Sequence, residues 1–393
     1  MSARRRIGVV TGSRAEYGHM RWLVRDLRDD PEVEVTVFAA SAHLSPWHGD
    51  TVAEIEADGV AVVRIDSLLA GDSPVAAAKS MALALMGFAE ALARWRPDLM
   101  VVLGDRFEML AAAEAAMLLR VPIAHLHGGE ATEGAIDEAC RHAITKMAHL
   151  HFVAAEAYGR RVVQLGENPA RVFNVGAPGL DVLTRTPLLG REHLEASLGL
   201  ALAAPVLLVT YHPLTLSDEN QEAPARALTE ALDRFPDATI IVTGVNVDPA
   251  NAAVLRPFHD YVAAHPARVR LFDSLGSVRY HSLMHLCHAV IGNSSSGIIE
   301  APAHRVPTVN IGDRQKGRLR ATSVLDCAAT APAIASAIAQ ALSAEGQAIA
   351  MATESPYGQG DASRRIHQIL KSVPLDGILL KHFHDIGPEG AAG

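Results

Sequence analysis

Short apolar runs alternate with longer segments whose apolar positions recur every three or four residues, and this rhythm dominates the first half of the chain. Residues 6–10, 34–39, 60–65, 99–103, 122–127 and 150–153 read as strands. Between them, residues 17–29, 51–58, 74–95, 108–119 and 134–146 read as helices, the third long and alanine-rich. Strands this apolar are buried on both faces, so the alternation predicts a parallel sheet covered by helices on either side. The rhythm weakens across the turn-rich stretch Val175-Gly-Ala-Pro-Gly-Leu-Asp181 and then resumes, with strands expected at 206–210, 239–243, 269–272, 289–292 and 308–311. The pattern predicts an α/β fold of two doubly wound domains, 1–178 and 179–361, with the boundary near residues 175–185. Ligands of such sheets sit beyond the carboxyl ends of the strands. Motifs from both halves are therefore expected to meet in a cleft between the domains.

Bulk properties narrow the function. A chain of 393 residues is long for one core, which favours two domains. A net charge of −9 leaves no basic stripe for displacing counterions, so no nucleic-acid partner is expected. Cys140, Cys287 and Cys327 are widely spaced and form no C-x-x-C pattern, which argues against a disulfide framework or a zinc ribbon and for a reducing compartment. The basic cluster at residues 4–6 is followed by an apolar run only from 7 to 10, too short for a secretory leader. No uninterrupted apolar run reaches the ~18 residues of a membrane span, so no membrane association and a cytoplasmic location are expected. Long apolar helices such as residues 76–92 favour a homodimer or higher homo-oligomer.

Candidate chemistry gathers at the expected strand exits. From Val101 to Phe152 the chain reads VVLGDRFE, HLHGGE and GAIDEACRHAITKMAHLHF, which places Asp105, Arg106, Glu108, His127, Glu130, Asp137, Glu138 and Arg141 there. Ionisable groups at that density point to acid–base work on a polar substrate. A second stretch, Gly292-Asn-Ser-Ser-Ser-Gly297, joins an expected strand to a helix opening at Gly297. Free N–H groups, the helix dipole and the serine hydroxyls would make it a phosphate cradle; ordinary serine N-capping is the competing account. Glu300 would accept from a ribose diol or merely complement the dipole. Arg14 follows the first strand in a turn without the G-x-G-x-x-G fingerprint, so a dinucleotide cofactor is not supported. Arg106 beside Asp105 admits a structural pair or a ligand clamp. Arg314, Lys316 and Arg318 form a basic loop that neutralises a diphosphate or faces solvent. His125/His127 and His149/His151 have i, i+2 spacing, which would put each pair on one face of a strand. Such pairs serve as metal ligands, or as sugar-hydroxyl donors and proton carriers, and a charged imidazole would keep nearby carboxylates ionised.

Taken together the motifs resemble the hydrolysing nucleotide-sugar 2-epimerases, typified by hydrolysing UDP-N-acetylglucosamine 2-epimerase, over roughly residues 5–370. They are TGSRAEYG at 11–18, GDRFE at 104–108, HLHGGE at 125–130, GAIDE and RHAITKMAHLHF within 134–152, VGAPGLD at 175–181, YHP at 211–213, GNSSSGIIEAP at 292–302 and NIGDRQKGR at 310–318. The resemblance implies a GT-B-like fold of two Rossmann-type domains. The first would be completed by a C-terminal helix at about 362–382, followed by a flexible tail at 383–393. It implies that the second domain holds the nucleotide and the sugar faces the first. Arg14, Arg106 and His212 would contact nucleotide or phosphate, Ser294 and Ser295 would grip the diphosphate, Glu300 the ribose, and Arg318 would add charge near the phosphates. Asp105 and Asp137 match the family's catalytic carboxylates. Non-hydrolysing relatives carry a further carboxylate at the position of His127, within His-x-Glu-Ala-Gly. Here that acid–base role falls to Glu130, His127 or both.

The implied reaction is elimination of a nucleoside diphosphate to a glycal, then rehydration to a free N-acetylmannosamine-type sugar, with no cofactor and no metal. UDP and GDP remain open as the nucleotide, and N-acetylglucosamine and N,N'-diacetylbacillosamine as the sugar. A GT-B glycosyltransferase is the alternative of another class. Residues 274–280 are expected near the base, and His43 and His48 either line the sugar end or lie on the surface.

Overall fold

A computed structural model describes residues 4–46, 50–71, 73–132, 136–213, 222–244 and 251–387. His48, the expected helix start at Gly134 and the tail beyond residue 387 lie outside the described residues. Among the described residues, thirteen strands form two parallel sheets. The first contains β1 (Arg5–Thr11), β2 (Val33–Ala40), β3 (Ala61–Ile65), β4 (Leu99–Leu103), β5 (Ile123–Leu126), β6 (Leu150–Val153) and β7 (Val172–Asn174), in the order β3-β2-β1-β4-β5-β6-β7. The second contains β8 (Val206–Thr210), β9 (Thr239–Thr243), β10 (Val269–Phe272), β11 (Ala289–Gly292), β12 (Thr308–Ile311) and β13 (Val324–Cys327), in the order β10-β9-β8-β11-β12-β13. Each sheet runs outward from its first strand and then restarts on that strand's other side. The switch points lie between β1 and β4 and between β8 and β11, where doubly wound sheets open a ligand crevice.

The chain divides into two compact units, residues 1–130, 136–181 and 360–393 against residues 131–135 and 182–359. In the first, Ile7, Val9, Val37 and Val101 pack on one face against Leu23 and Val24, while Phe38, Met100 and Val102 pack on the other against Phe88 and Met109. The Arg14–Asp29 helix starts at a capping box in which Ser13 and Glu16 satisfy each other's backbone N–H groups. Tyr17, Arg21 and Arg25 of that helix converge on buried Asp58.

The Ala362–Ser372 helix belongs to the first unit. Both carboxylate oxygens of fully buried Asp181 accept the N–H groups of Ala362 and Ser363, at 2.9 and 2.7 Å. His367 and Lys371 pair with Asp30. The helix stops at Ser372 rather than near 382, because Val373 precedes a proline and is driven to an extended conformation. The chain is then held further than the expected tail allows: Lys381 donates to Lys146 O and reaches Glu167, and the His384 N–H donates to Gly166 O at 2.9 Å.

Burial alone would raise the Glu167 carboxyl, but donors on His151, Lys146 and Lys381 outweigh it and hold the group down at about 2. A depressed carboxylate contributes stability that is complete above its unfolded pKa of 4.5 and is lost as pH falls toward about 2. Glu167→Gln should therefore cost on the order of 2 kcal/mol at pH 7 and little at pH 2. Denaturant titrations across that range read the difference directly, and equal losses at both ends would contradict it.

The Pro74–Arg94 helix is long and apolar enough, by length and composition, to cross a membrane. Counting uninterrupted apolar runs misses it because Lys79 and Glu90 break the run. Its Ser80, Ala84, Phe88 and Leu92 face is buried in the fold.

Candidate active site

The first unit gathers its candidates where β4 and β5 leave the sheet. β4 ends at Leu103 and turns through Gly104, whose φ of 78° suits glycine, into Asp105 and Arg106. β5 ends at Leu126, and the chain bends at once: His127 has φ 63° and Gly129 φ 77°. A Cβ on Gly129 would lie 2.3 Å from Tyr158 O, so only glycine fits that bend. The bend returns Glu130, 2% exposed, to His127, whose Nδ1 lies 2.5 Å from Glu130 Oε1. Asp137 opens the Asp137–Met147 helix.

One turn into that helix, Arg141 is 1% exposed and joins these segments. Its guanidinium pairs with Asp105, donates to Glu138 Oε2 at 2.8 Å and to Glu130 O at 3.1 Å. A planar fork with several fixed donors suits such a junction. The sequence displays Arg141, but its role is set by tertiary contact; the only local hint is its i, i+3 spacing from Glu138.

Arg106 pairs with neither Asp105 nor solvent alone. Its Nε donates to Glu108 Oε1 at 2.7 Å, and Glu108 is fully buried. Glu16 lies 3.9 Å away and accepts from the Gly12 and Ser13 N–H groups. Burial, then the Glu108 charge, pushes the Glu16 carboxyl up to about 7. Glu108 most of all, then Glu16 and Asp137, hold the Arg106 guanidinium firmly charged. Arg106 and Asp137 are thus electrostatic neighbours. Arg14 begins its helix at the β1 exit and pairs with Glu54 at 2.8 Å, half-exposed.

The His125/His127 pair does not share a strand face. His127 lies beyond the end of β5 in a left-handed turn, and His149 precedes β6. His125 is buried between Gly104 O, at 2.8 Å, and the Thr145 hydroxyl, at 3.1 Å. His149 Nδ1 accepts the Ile123 N–H, and His151 Nε2 meets Glu167 at 2.9 Å. Desolvation pushes His125 down to about 3 and His149 to about 4, and lowers His151 despite Glu167. These rings are neutral at pH 7 and brace the scaffold, so they are not the charged neighbours that the spacing suggested. Among the described residues no group of three or more His, Cys, Asp or Glu side chains is placed to hold a metal ion. His43 is neither sugar-lining nor on the surface: it is fully buried between the Thr11 and Thr51 hydroxyls, at 2.9 and 2.8 Å.

The second unit builds its cradle at the β8/β11 switch point. Gly292 has φ 138°, and a Cβ there would lie 1.8 Å from Thr210 O, so the turn after β11 requires glycine. Asn293 follows and zips two loops together. Its Oδ1 accepts the His212 N–H at 2.7 Å and its Nδ2 donates to His212 O at 2.8 Å. The Asn293 carbonyl in turn accepts from Gln315 and Arg314, at 2.9 and 3.2 Å. The basic loop after β12 is thereby drawn to the serine turn, and half-buried Arg318 follows in it.

The Ser295–Ala303 helix starts two residues earlier than Gly297, with Ser294 as its N-cap accepting from the Ser296 N–H. Ser296 donates to Glu300 Oε2 at 2.6 Å and meets the Tyr280 hydroxyl at 2.7 Å. One Glu300 oxygen is therefore engaged within the helix. Tyr280, Asn293 and Gln315 are site-building residues that no sequence motif flagged individually. The His212 ring is 6% exposed, its Nδ1 is buried without a hydrogen-bond partner, and desolvation pushes it down to about 3. A neutral imidazole with an unmet nitrogen, free N–H groups at a helix start and nearby guanidinium groups suit an anionic ligand.

Known proteins are similar to this chain over most of its length. The chain is 41% identical to the GDP/UDP-N,N'-diacetylbacillosamine 2-epimerase (hydrolyzing) of Campylobacter jejuni, over 82% of this chain and 84% of that one. It is 34% identical to the UDP-N,N'-diacetylbacillosamine 2-epimerase (hydrolyzing) of Legionella pneumophila, over 96% and 98%. Its fold matches the crystal structure of UDP-GlcNAc 2-epimerase from Neisseria meningitidis bound to UDP-GlcNAc, with a TM-score of 0.77 at 18% identity, over 93% and 99% of the two chains. The two doubly wound units are GT-B-like in architecture. The sequence profile described as UDP-N-acetylglucosamine 2-epimerase matches residues 25–371, and the chain is an enzyme belonging to that family.

Proposed function

We propose that this enzyme is a hydrolysing 2-epimerase of a nucleotide-linked 2-acetamido sugar, which releases the nucleoside diphosphate and the free 2-epimer. Between the two sugars left open by the sequence, we favour N,N'-diacetylbacillosamine, because the relatives at 41% and 34% identity carry that substrate in their names. The observation that carries the reaction type is the buried Arg141 junction at the β4 and β5 exits, which ties Asp105 and the Glu130 backbone carbonyl to the helix that Asp137 opens.

The C2–H bond of such a sugar is not acidic, since no carbonyl is adjacent. Its deprotonation requires the anomeric C–O bond to be breaking, with the electron pair of the C–H bond forming the glycal double bond as the diphosphate departs. The second unit's helix N–H groups, the Ser294 and Ser295 hydroxyls and Arg318 stabilise the charge developing on that leaving group. Glu300, through its second oxygen, takes the ribose. Carboxylates of the first unit move the protons. Asp137 is assigned to carbon 2, with Asp105 and the hydrogen-bonded Glu130–His127 pair serving the return proton and the incoming water. Arg106 and Arg14 serve the phosphates.

A panel of UDP- and GDP-linked N-acetylglucosamine and N,N'-diacetylbacillosamine, turned over in heavy water and followed by NMR, tests the reading. Free sugar inverted at carbon 2 and deuterated there, formed from donor alone, is the expected product. A requirement for an acceptor would instead identify a glycosyltransferase. The cradle has its own test. Ser295→Ala should weaken free nucleoside diphosphate about tenfold by calorimetry, the effect of losing one hydrogen bond to a charged group. Ser343→Ala, at the N-cap of the remote Ala344–Ala352 helix, should leave it unchanged.

A further inference from the structure

Two buried carboxylates of the first unit have no part in the proton transfers at carbon 2. Glu16 and Glu108, 7% and 0% exposed, come from the Arg14–Asp29 and Phe107–Leu118 helices, yet both face one cation, Arg106. Glu108 Oε1 accepts the Arg106 Nε–H at 2.7 Å, and Glu16 Oε1 stands 3.9 Å from the same nitrogen. The Gly12 and Ser13 N–H groups hold the other Glu16 oxygen, at 2.6 and 3.1 Å. A Cβ on Gly12 would lie 2.6 Å from Glu108 Oε1, so the turn after β1 lays bare backbone against the second carboxylate. Glu108 Oε2 is buried without a hydrogen-bond partner. Beyond its Nε, the Arg106 guanidinium makes no hydrogen bond among the described residues, and its side chain is 37% exposed.

Two ionised carboxylates against one guanidinium leave a buried surplus of one negative charge, which is costly. Groups facing the cluster from neighbouring elements do not cancel it. Asp137 brings a further carboxylate, and Cys140 on the same helix, pushed up by burial, stays a neutral thiol. His43, across the Thr11–Ser13 turn, is pushed down to about 4 by burial and is neutral at pH 7. Arg14 is paired with Glu54. We propose that Glu16 and Glu108 are positioning residues that share one proton, and that a nucleotide's diphosphate draws this proton from solvent into the pair as it binds Arg106. The role rests on the assignment of Arg106 to the phosphates. With the proton in place, Glu108 holds the guanidinium through Nε, and the Nη groups meet the anion with no surplus charge behind them. With the proton lost, a second carboxylate competes with the phosphates for the same cation. Burial first, and then the Glu108 charge, lift the Glu16 carboxyl to about 7, so the pair exchanges its proton near neutrality. A bound anion favours the protonated pair, so affinity is highest below pH 7 and falls as pH climbs through it.

Calorimetric titration of the full chain with UDP and with GDP, from pH 6 to 9, compares wild type with Glu16→Gln. Glutamine keeps the capping-box hydrogen bonds but cannot ionise. The ratio of the two dissociation constants cancels the ligand's own phosphate titration. It should stay within about twofold at pH 6 and reach about tenfold at pH 9, with the wild type the weaker binder. In Pipes and Tris buffers at pH 7.5, whose ionisation enthalpies differ, the wild type should take up about half a proton more per nucleotide than Glu16→Gln. Glu108→Gln also leaves a single carboxylate and should behave like Glu16→Gln, so the test survives misfolding of either variant. A ratio that does not change with pH, or equal proton uptake, would overturn the proposal. Arg106→Met separates it from the assignment beneath it. A loss of about tenfold in nucleotide affinity upholds the phosphate role whatever the carboxylates do, whereas undiminished affinity would remove that role and the proposal with it.

Discussion

Asp137→Asn should reduce turnover by about three orders of magnitude, within the range set by removing a positioned acid–base group, and should abolish deuterium incorporation at carbon 2. Binding of the free nucleoside diphosphate should stay within about twofold, because the cradle assigned to it is built from other residues. The substitution keeps the shape of the side chain and removes only its ability to take up and release a proton. Asp137 opens its helix, where the dipole favours a negative charge, so the neutral asparagine should cost no more than about 1 kcal/mol of stability. Steady-state kinetics, isotope incorporation and calorimetry on one preparation separate these quantities. Undiminished turnover would remove Asp137 from the reaction; lost turnover with lost diphosphate binding would signal wider damage.

The largest effect on stability is expected at Arg141. Arg141→Met fills the space but leaves Asp105 and Glu138 without the buried cation that pairs with both. Asp105 and Glu138 keep partial solvent access, so the loss of the charged hydrogen bonds and of the donor to the Glu130 carbonyl should cost about 3 kcal/mol. Turnover should fall as well, since Asp105 and the Glu130 carbonyl lose their common anchor. Arg141→Lys should recover part of the stability but little of the activity, because a single ammonium cannot reproduce the fork. Denaturant unfolding monitored beside kcat distinguishes the outcomes. A change below about 0.5 kcal/mol in Arg141→Met, the scale of an ordinary surface substitution, would show that the junction does not hold the site together.

The central strands were legible because burial on both faces demands continuous apolar runs, and β4, β6, β8, β9, β11 and β12 fall where those runs lie. β7 and β13 carry no such run: each is a short edge strand, only half-buried, and nothing in composition separates it from a loop. Gly292-Asn293-Ser294 was legible as a turn into a helix because glycine, serine and the following apolar residues each have a local reason to be there. The spacing of His125 and His127 misled, since the i, i+2 argument assumes that a strand continues, and β5 ends at Leu126 with His127 already in a left-handed turn. Arg141 was illegible as an anchor because its partner Asp105 lies 36 residues away in sequence. Buried polar junctions of this kind are written in three dimensions.

The clasp between Asp181 and the Ala362–Ser372 helix also sets an order of events during synthesis. The strands of the first sheet leave the ribosome early, yet the segment that shields the Arg14–Asp29 helix is translated 181 residues after the aspartate that receives it. Until then Ile366 and Leu370 are missing from the core they complete, and the nascent amino-terminal half waits with that apolar surface bare while the second sheet is made. Shortening the chain before residue 362 would thus expose the oldest part of the protein, not the newest.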